Sequence, residues 1–235
     1  MIDGATRTQL SKNWNAVTDE VQQATVAAGR PAGSTKIVGV TKYVGAETTL
    51  ALAEAGCYDL GESRPQLLWQ KVDEVAFPPQ VQWHLIGHVQ RNKLRRSLSL
   101  DPIIHSVDSG RLLIAIAEEA AAQQRTATVL VEVNISGEAA KTGLAPEQVE
   151  TLLTQLPRNG VVVVGLMAMA GWGIEASEAR SQFAETRRLR DDLQSRLGVC
   201  LPELSMGMSG DFIEAIAAGA TMVRIGSRLF EGLPT

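Results

Sequence analysis

Lys42 closes the apolar run 37–41, and two glycine- and serine-bearing stretches close later apolar runs: Ser205-Met206-Gly207-Met208-Ser209-Gly210-Asp211 and Arg224-Ile225-Gly226-Ser227. An unprotonated lysine amine attacks carbonyl carbon. Glycines let backbone N–H groups approach an anion, and Ser209 adds a hydroxyl just ahead of a helix opening near Asp211. Each feature also has a plain structural reading. A strand-end lysine can simply reach solvent, and Ser209 or Asp211 can cap a strand-to-helix turn.

For these groups to converge, their strands must end on one rim. Short β-branched runs alternate with longer helical patterns, the signature of βα units and a parallel sheet. The strand candidates are 37–41, 57–61, 81–87, 103–107, 128–134, 161–169, 203–206 and 221–225, several of them near-continuous apolar runs suited to a sheet buried on both faces. Helices fit 46–55, 65–75, 90–99, 111–125, 146–156, 177–197 and 211–218, with Gly56 and Gly219 where helix-ending glycines belong. Ahead of the first strand, Leu10, Trp14, Val17, Val21 and Ala24 recur at helical spacing. The pattern predicts an α/β fold, a single (β/α)8 TIM barrel with an extra N-terminal helix, in preference to a doubly wound open sheet. One domain is expected over 1–235, with 1–30 as the helical leader.

Composition narrows the partners. The 235 residues carry a formal net charge of -4, which argues against nucleic acid or an anionic membrane as the main partner. Cys57 and Cys200 form no metal or redox pair. No signal peptide or membrane-length segment is evident, so a cytoplasmic protein with a small soluble ligand is expected. Barrels commonly bind phosphate in the loops after strands seven and eight. A lysine amine and a phosphate cradle on one rim are what pyridoxal 5′-phosphate (PLP) requires.

The sequence resembles the pyridoxal phosphate homeostasis proteins, fold-type III PLP barrels related to the N-terminal domain of alanine racemases. The resemblance is carried by Val-Gly-Val-Thr-Lys at Lys42, Asp59-Leu60-Gly61-Glu62, Trp83-His84-Leu85-Ile86-Gly87, Gln90 with Asn92-Lys93, Val133-Asn134-Ile135, Lys141-Thr142-Gly143, Gly165-Leu166-Met167, and the blocks 205–211 and 214–226. It implies that Lys42 is the Schiff-base lysine. Ser209, Gly226 and Ser227 would then surround the phosphate, with Met206 and Gly207 shaping the loop beside it. Arg224 would face the pyridine nitrogen, keep it unprotonated and weaken the cofactor as an electron sink. The plainer reading of Arg224 is an ion pair in the mouth, with Glu62 as the partner. Ser63 stands where the family usually has asparagine, and its shorter hydroxyl reaches less far toward the ring oxygen.

His84 reads as a satisfied core histidine, and His88 and His105 offer less; no metal site is proposed. Arg91, Lys93, Arg95 and Arg96 read as the solvated face of a helix. Two functions of different class remain. The resemblance implies a non-catalytic PLP carrier or regulator affecting amino-acid and keto-acid balance, monomeric, with PLP-requiring apoenzymes as possible partners and no catalytic residue. The alternative is a PLP-dependent amino-acid racemase, and a third, weaker reading is a phosphosugar barrel enzyme. Racemisation needs a second base opposite Lys42. The sequence ends at Thr235 soon after strand eight, and its tyrosines are Tyr43 and Tyr58 alone.

Overall fold

The computed structural model describes residues 2–138, 141–155 and 159–233. Eight parallel strands close on themselves in chain order. They are β1 Lys36–Val40, β2 Asp59–Glu62, β3 Gln82–Leu85, β4 Ile103–Val107, β5 Ala127–Val133, β6 Val161–Ala168, β7 Glu203–Met208 and β8 Met222–Ile225. The seam decides between barrel and open sheet, because β8 pairs with β1 from Lys36↔Met222 to Gly39↔Ile225. The fold is the (β/α)8 TIM barrel that the alternation predicts.

Around it lie α1 Gly4–Ala27, α2 Ala46–Glu54, α3 Pro65–Glu74, α4 Leu94–Leu98, α5 Gly110–Ala122, α6 Pro146–Thr154, α7 Ala176–Leu197 and α8 Phe212–Ala218. The predicted helix 146–156 is α6; its last position, Leu156, is outside the described residues. Gly56 and Gly219 end α2 and α8 at φ +110° and +107°. The predicted helix 90–99 is split into a 3-10 turn, Arg91–Lys93, and α4. Gln90 offers no capping side chain there, so the first turn tightens into an i→i+3 bond from Lys93 N–H to the Gln90 carbonyl at 2.9 Å.

The leader helix has a structural task. Asp3 caps it by accepting from Thr6 N–H at 2.8 Å, and Leu10, Val17 and Val21 are buried along one side. Among the described residues the element that follows β8 is the 3-10 turn Ser227–Phe230, and α1 packs as an outer helix there, touching α2, α8 and that turn. Asn13 donates to the Leu229 and Glu231 carbonyls at 3.1 and 2.9 Å, and Arg228 pairs with Glu20. Between sheet and helices, Leu60, Ile104, Val129, Leu166, Leu204, Phe183 and Phe212 belong to one buried apolar cluster. Among the described residues, no helix is long and apolar enough to cross a membrane.

Candidate functional site

Lys42 lies just past β1, in an exposed turn, with its ammonium 4.9 Å from the centre of the Tyr43 ring. Among the described residues no hydrogen bond or ion pair holds it. The turn is fixed from behind instead. Thr41 is fully buried, and Lys71 of α3 donates to its carbonyl at 2.8 Å and its Oγ1 at 3.0 Å. The Thr41 hydroxyl in turn donates to Glu62 Oε1 at 2.6 Å, and Lys71 forms an ion pair with the same carboxylate. Burial pulls the Lys71 pKa down, and the Glu62 charge works against that pull. The suggested pairing of Glu62 with Arg224 is therefore corrected. Side chains alternate along a strand, and Glu62 falls on the face that meets α3, outside the barrel.

Arg224, on β8, is 4% exposed. Its Nη1 donates to Ser205 Oγ at 2.8 Å and to the Ser205 carbonyl at 2.7 Å, and its Nη2 donates to the Ala168 carbonyl at 3.0 Å. Guanidinium carries five N–H donors, so Nε–H and one Nη2–H are left without a partner among the described residues. Burial pushes the Arg224 pKa down to about 10, against the attraction of Asp211 and Glu132, and it stays charged at neutral pH.

The strand ends beyond β7 and β8 are tied to each other. Ser209 Oγ accepts from Gly226 N–H at 3.2 Å, while Asp211 Oδ1 accepts from Met208 N–H at 2.5 Å and pins the turn. Gly207 has φ +90°, and a Cβ there would sit 2.5 Å from the Ala215 Cβ, so the strand can leave along α8 only as glycine. Met206 is fully buried in the helix–sheet cluster. Gly226 lies against β1, where a Cβ would come 3.3 Å from the Val40 carbonyl oxygen, two residues before Lys42. Ser227 is exposed at the start of its turn.

Lys42, Ser209, Arg224, Gly226 and Ser227 thus come from the adjoining elements β1, β7 and β8. Ser63 stands on the other side of β1, half-buried after β2, with its backbone pressed against Gly87, where a Cβ would meet the Ser63 carbonyl oxygen at 2.4 Å. Its hydroxyl makes no hydrogen bond among the described residues.

Sequence reading missed a polar line through the barrel. His84 is the satisfied core histidine that was expected, but its partners were not foreseen: Nε2 is 3.0 Å from Asp59 Oδ1 and Nδ1 is 2.8 Å from His105 Nε2. His105 Nδ1 is 2.8 Å from Ser205 Oγ, the hydroxyl that Arg224 also touches. Because β4 and β7 are not neighbours in the ring, this last contact spans the interior. Burial holds the His105 pKa well below the usual histidine range, and His84 and Arg224 add to the effect. The available signal was a polar residue placed inside each apolar strand run: His84, His105 and Ser205. By contrast, His88 is exposed and 3.0 Å from Asp108, and Arg96 pairs with Asp73 at the surface. Among the described residues no group of three or more metal-binding side chains is found.

The family model for the alanine racemase N-terminal domain matches residues 13–234. The pyridoxal phosphate homeostasis protein of Aquifex aeolicus is 37% identical over 215 residues, covering 91% of this chain and 94% of its own length. The chain belongs to the pyridoxal phosphate homeostasis family. Among solved structures, an unknown protein from Bifidobacterium adolescentis superposes with a TM-score of 0.90 at 32% identity, covering 98% of each chain. The structure of PipY of Synechococcus elongatus with PLP bound gives a TM-score of 0.79 at 31% identity over 89% of this chain and 99% of that one.

Proposed function

We propose that this chain binds PLP through Lys42 as a Schiff base and serves in PLP homeostasis as a carrier or regulator. The observation that supports this reading most directly is the pairing, from the neighbouring elements β1 and β8, of an exposed lysine amine just past β1 and a buried arginine with two N–H donors, each without a polar partner among the described residues. When bound, PLP supplies an aldehyde that an amine can capture and a dianionic phosphate that N–H and O–H donors can hold. The residues present fit both ends. The Lys42 amine is exposed and held by no hydrogen bond or ion pair among the described residues, and the Ser209–Gly226 tie brings a hydroxyl and two glycine-bearing turns together beside β1. Arg224 offers its spare N–H groups to an unprotonated ring nitrogen, since a guanidinium can only donate. Met206 and Gly207 set the path of the strand that carries Ser209, and the Ser63 hydroxyl, without a hydrogen bond among the described residues, stands near the other edge of the mouth.

Non-catalytic handling is favoured over racemisation. The two tyrosines are poorly placed to oppose Lys42. Tyr43 is 89% exposed in the same turn, and Tyr58 lines a groove beneath α1 at the N-terminal end of the barrel. In this reading the protein is a cytoplasmic monomer that passes PLP to PLP-requiring apoenzymes. A visible absorption spectrum of the purified chain, with and without added PLP, tests it. A yellow protein that borohydride bleaches, with the reduced adduct on Lys42, is expected; a chain that stays colourless with PLP overturns the reading.

A further inference from the structure

The polar line from Asp59 to Arg224 has a direction that the donor and acceptor inventory fixes. A guanidinium only donates, so Ser205 Oγ is the acceptor of their 2.8 Å bond. The hydroxyl hydrogen of Ser205 is then available to His105 Nδ1, also at 2.8 Å. An imidazole that accepts at Nδ1 and is neutral carries its hydrogen on Nε2, which faces His84 Nδ1 at 2.8 Å. His84 must then carry its own hydrogen on Nε2, 3.0 Å from the Asp59 carboxylate. Every member is satisfied.

Other arrangements fail at a named place. Reversal would put the hydrogen of His105 on Nδ1, donating to a Ser205 Oγ that already accepts from Arg224, and would leave the buried Ser205 hydrogen seeking a new acceptor. An imidazolium at His105 would put a second buried cation beside the guanidinium, which burial and the neighbouring charges already resist. We infer that Ser205, His105, His84 and Asp59 form a one-directional hydrogen-bond chain that positions Arg224 for the cofactor's ring nitrogen, anchored at the opposite end of the barrel. Hydrogen bonds in such a chain polarise one another, so the carboxylate at its end strengthens the grip on the guanidinium. Asp59 opens β2 and lines the groove beneath α1 with Trp14, Thr35 and Tyr58, so the far face of the barrel is coupled to its mouth.

The inference rests on the PLP reading for its consequence but not for its geometry, and the test separates the two. Imidazole 15N spectra of the chain without PLP should show both His84 and His105 protonated at Nε2 and bare at Nδ1; protonation of either at Nδ1 overturns the direction. Affinities are then compared for PLP and for its 1-deaza analogue, which lacks the ring nitrogen. Wild type should prefer PLP. Ser205→Ala should cut that preference by roughly tenfold, the worth of one hydrogen bond to a charged group, and Ser205→Thr should restore it. Asp59→Ala, at a half-open position that keeps the fold intact, should cut it by about threefold and release the two histidines into mixed tautomers. Equal weakening of both ligands in Ser205→Ala and Asp59→Ala would make the chain structural only and sink the proposal. Failure of wild type to bind PLP would overturn the functional reading and the cofactor role of the chain, while the 15N spectra would still decide its direction.

Discussion

Lys42 and Arg224 are basic side chains from neighbouring elements, Lys42 in an open turn just past β1 against a tyrosine ring and Arg224 within β8, 4% exposed with three hydrogen bonds to oxygen. Their supports lie on opposite sides of the sheet. The Lys42 turn is held from outside, by the Lys71–Glu62 pair gripping Thr41 between sheet and α3. Arg224 is held from inside, by neutral oxygens at the end of a histidine chain. The contrast fits the roles proposed for the two groups. An amine that must shed a proton and form a bond needs water and rotational freedom, and immobilising a lysine side chain costs up to about 2 kcal/mol of rotamer entropy. An arginine that serves as a fixed donor needs the reverse, and its planar fork loses less on being held.

The largest effect expected is at the proposed Schiff-base lysine. Lys42→Ala should abolish the visible band and the borohydride adduct while changing unfolding free energy by less than about 0.5 kcal/mol, as for other exposed positions. An adduct surviving on Lys36 or Lys141 by mass spectrometry would break the comparison at its first term. Next comes the support behind it. Lys71→Met leaves the fully buried Glu62 without its counter-charge, and Glu62 Oε2 already has no hydrogen bond among the described residues. Removing one partner of a buried pair costs about 3–5 kcal/mol, readable by urea unfolding. The combined Lys71→Met, Glu62→Leu variant should recover much of that loss, and yet bind PLP more weakly because the Thr41 carbonyl has lost its donor.

The phosphate side of the mouth should respond less. Ser209→Ala and Ser227→Ala should each weaken PLP relative to pyridoxal, which has no phosphate, by about 1.5–3 kcal/mol if both hydroxyls meet the dianion. Ser209 is tied to Gly226 and so already aimed, whereas Ser227 is exposed and has to be drawn in. The Ser209 effect should therefore be the larger of the two, and equal weakening of PLP and pyridoxal would place the phosphate elsewhere.

What could be read without coordinates was whatever repeats. Alternation gave the barrel, helical spacing placed Leu10, Val17 and Val21 on the buried side of α1, and the rule that barrel chemistry sits at strand ends singled out Lys42, Ser209 and Gly226 as candidates. The register that closes it could not be read, because β8 returning to β1 is a contact between residues some 186 positions apart, as in Lys36↔Met222. For the same reason the partners of Glu62 and Arg224 were misjudged. Glu62 meets Lys71 only once α3 is laid over β2, and Ser205 meets His105 only across the closed interior. A buried polar residue announces in sequence that it needs a partner, but not which one.

The smallest effect concerns pH, and it distinguishes the inner support from the outer one. His105 is fully buried, with its pKa well below the ordinary value of 6.5 chiefly through burial, then through His84 and Arg224. In the unfolded chain it titrates near 6.5. As pH falls below that value the unfolded state takes up a proton that the folded state refuses, so stability must fall with falling pH. The window opens at about 6.5 and extends down to the depressed folded value. Between pH 7.5 and 5.5 this one group should remove about 1 kcal/mol of unfolding free energy, given a limiting slope of about 1.4 kcal/mol per pH unit for one proton. Other groups titrate too: Glu132 and Asp211 have raised pKa values through burial, and their contribution runs the other way. The measurement is therefore a difference. Urea unfolding of wild type and of His105→Gln at both pH values should show the variant less stable at pH 7.5, with a gap that narrows by about 1 kcal/mol at pH 5.5. Lys42→Ala, on the outer side, should keep the wild-type slope. A gap independent of pH would mean that His105 takes up its proton as readily in the folded barrel as in the unfolded chain, and at pH 5.5 Arg224 would then share the interior with a second cation.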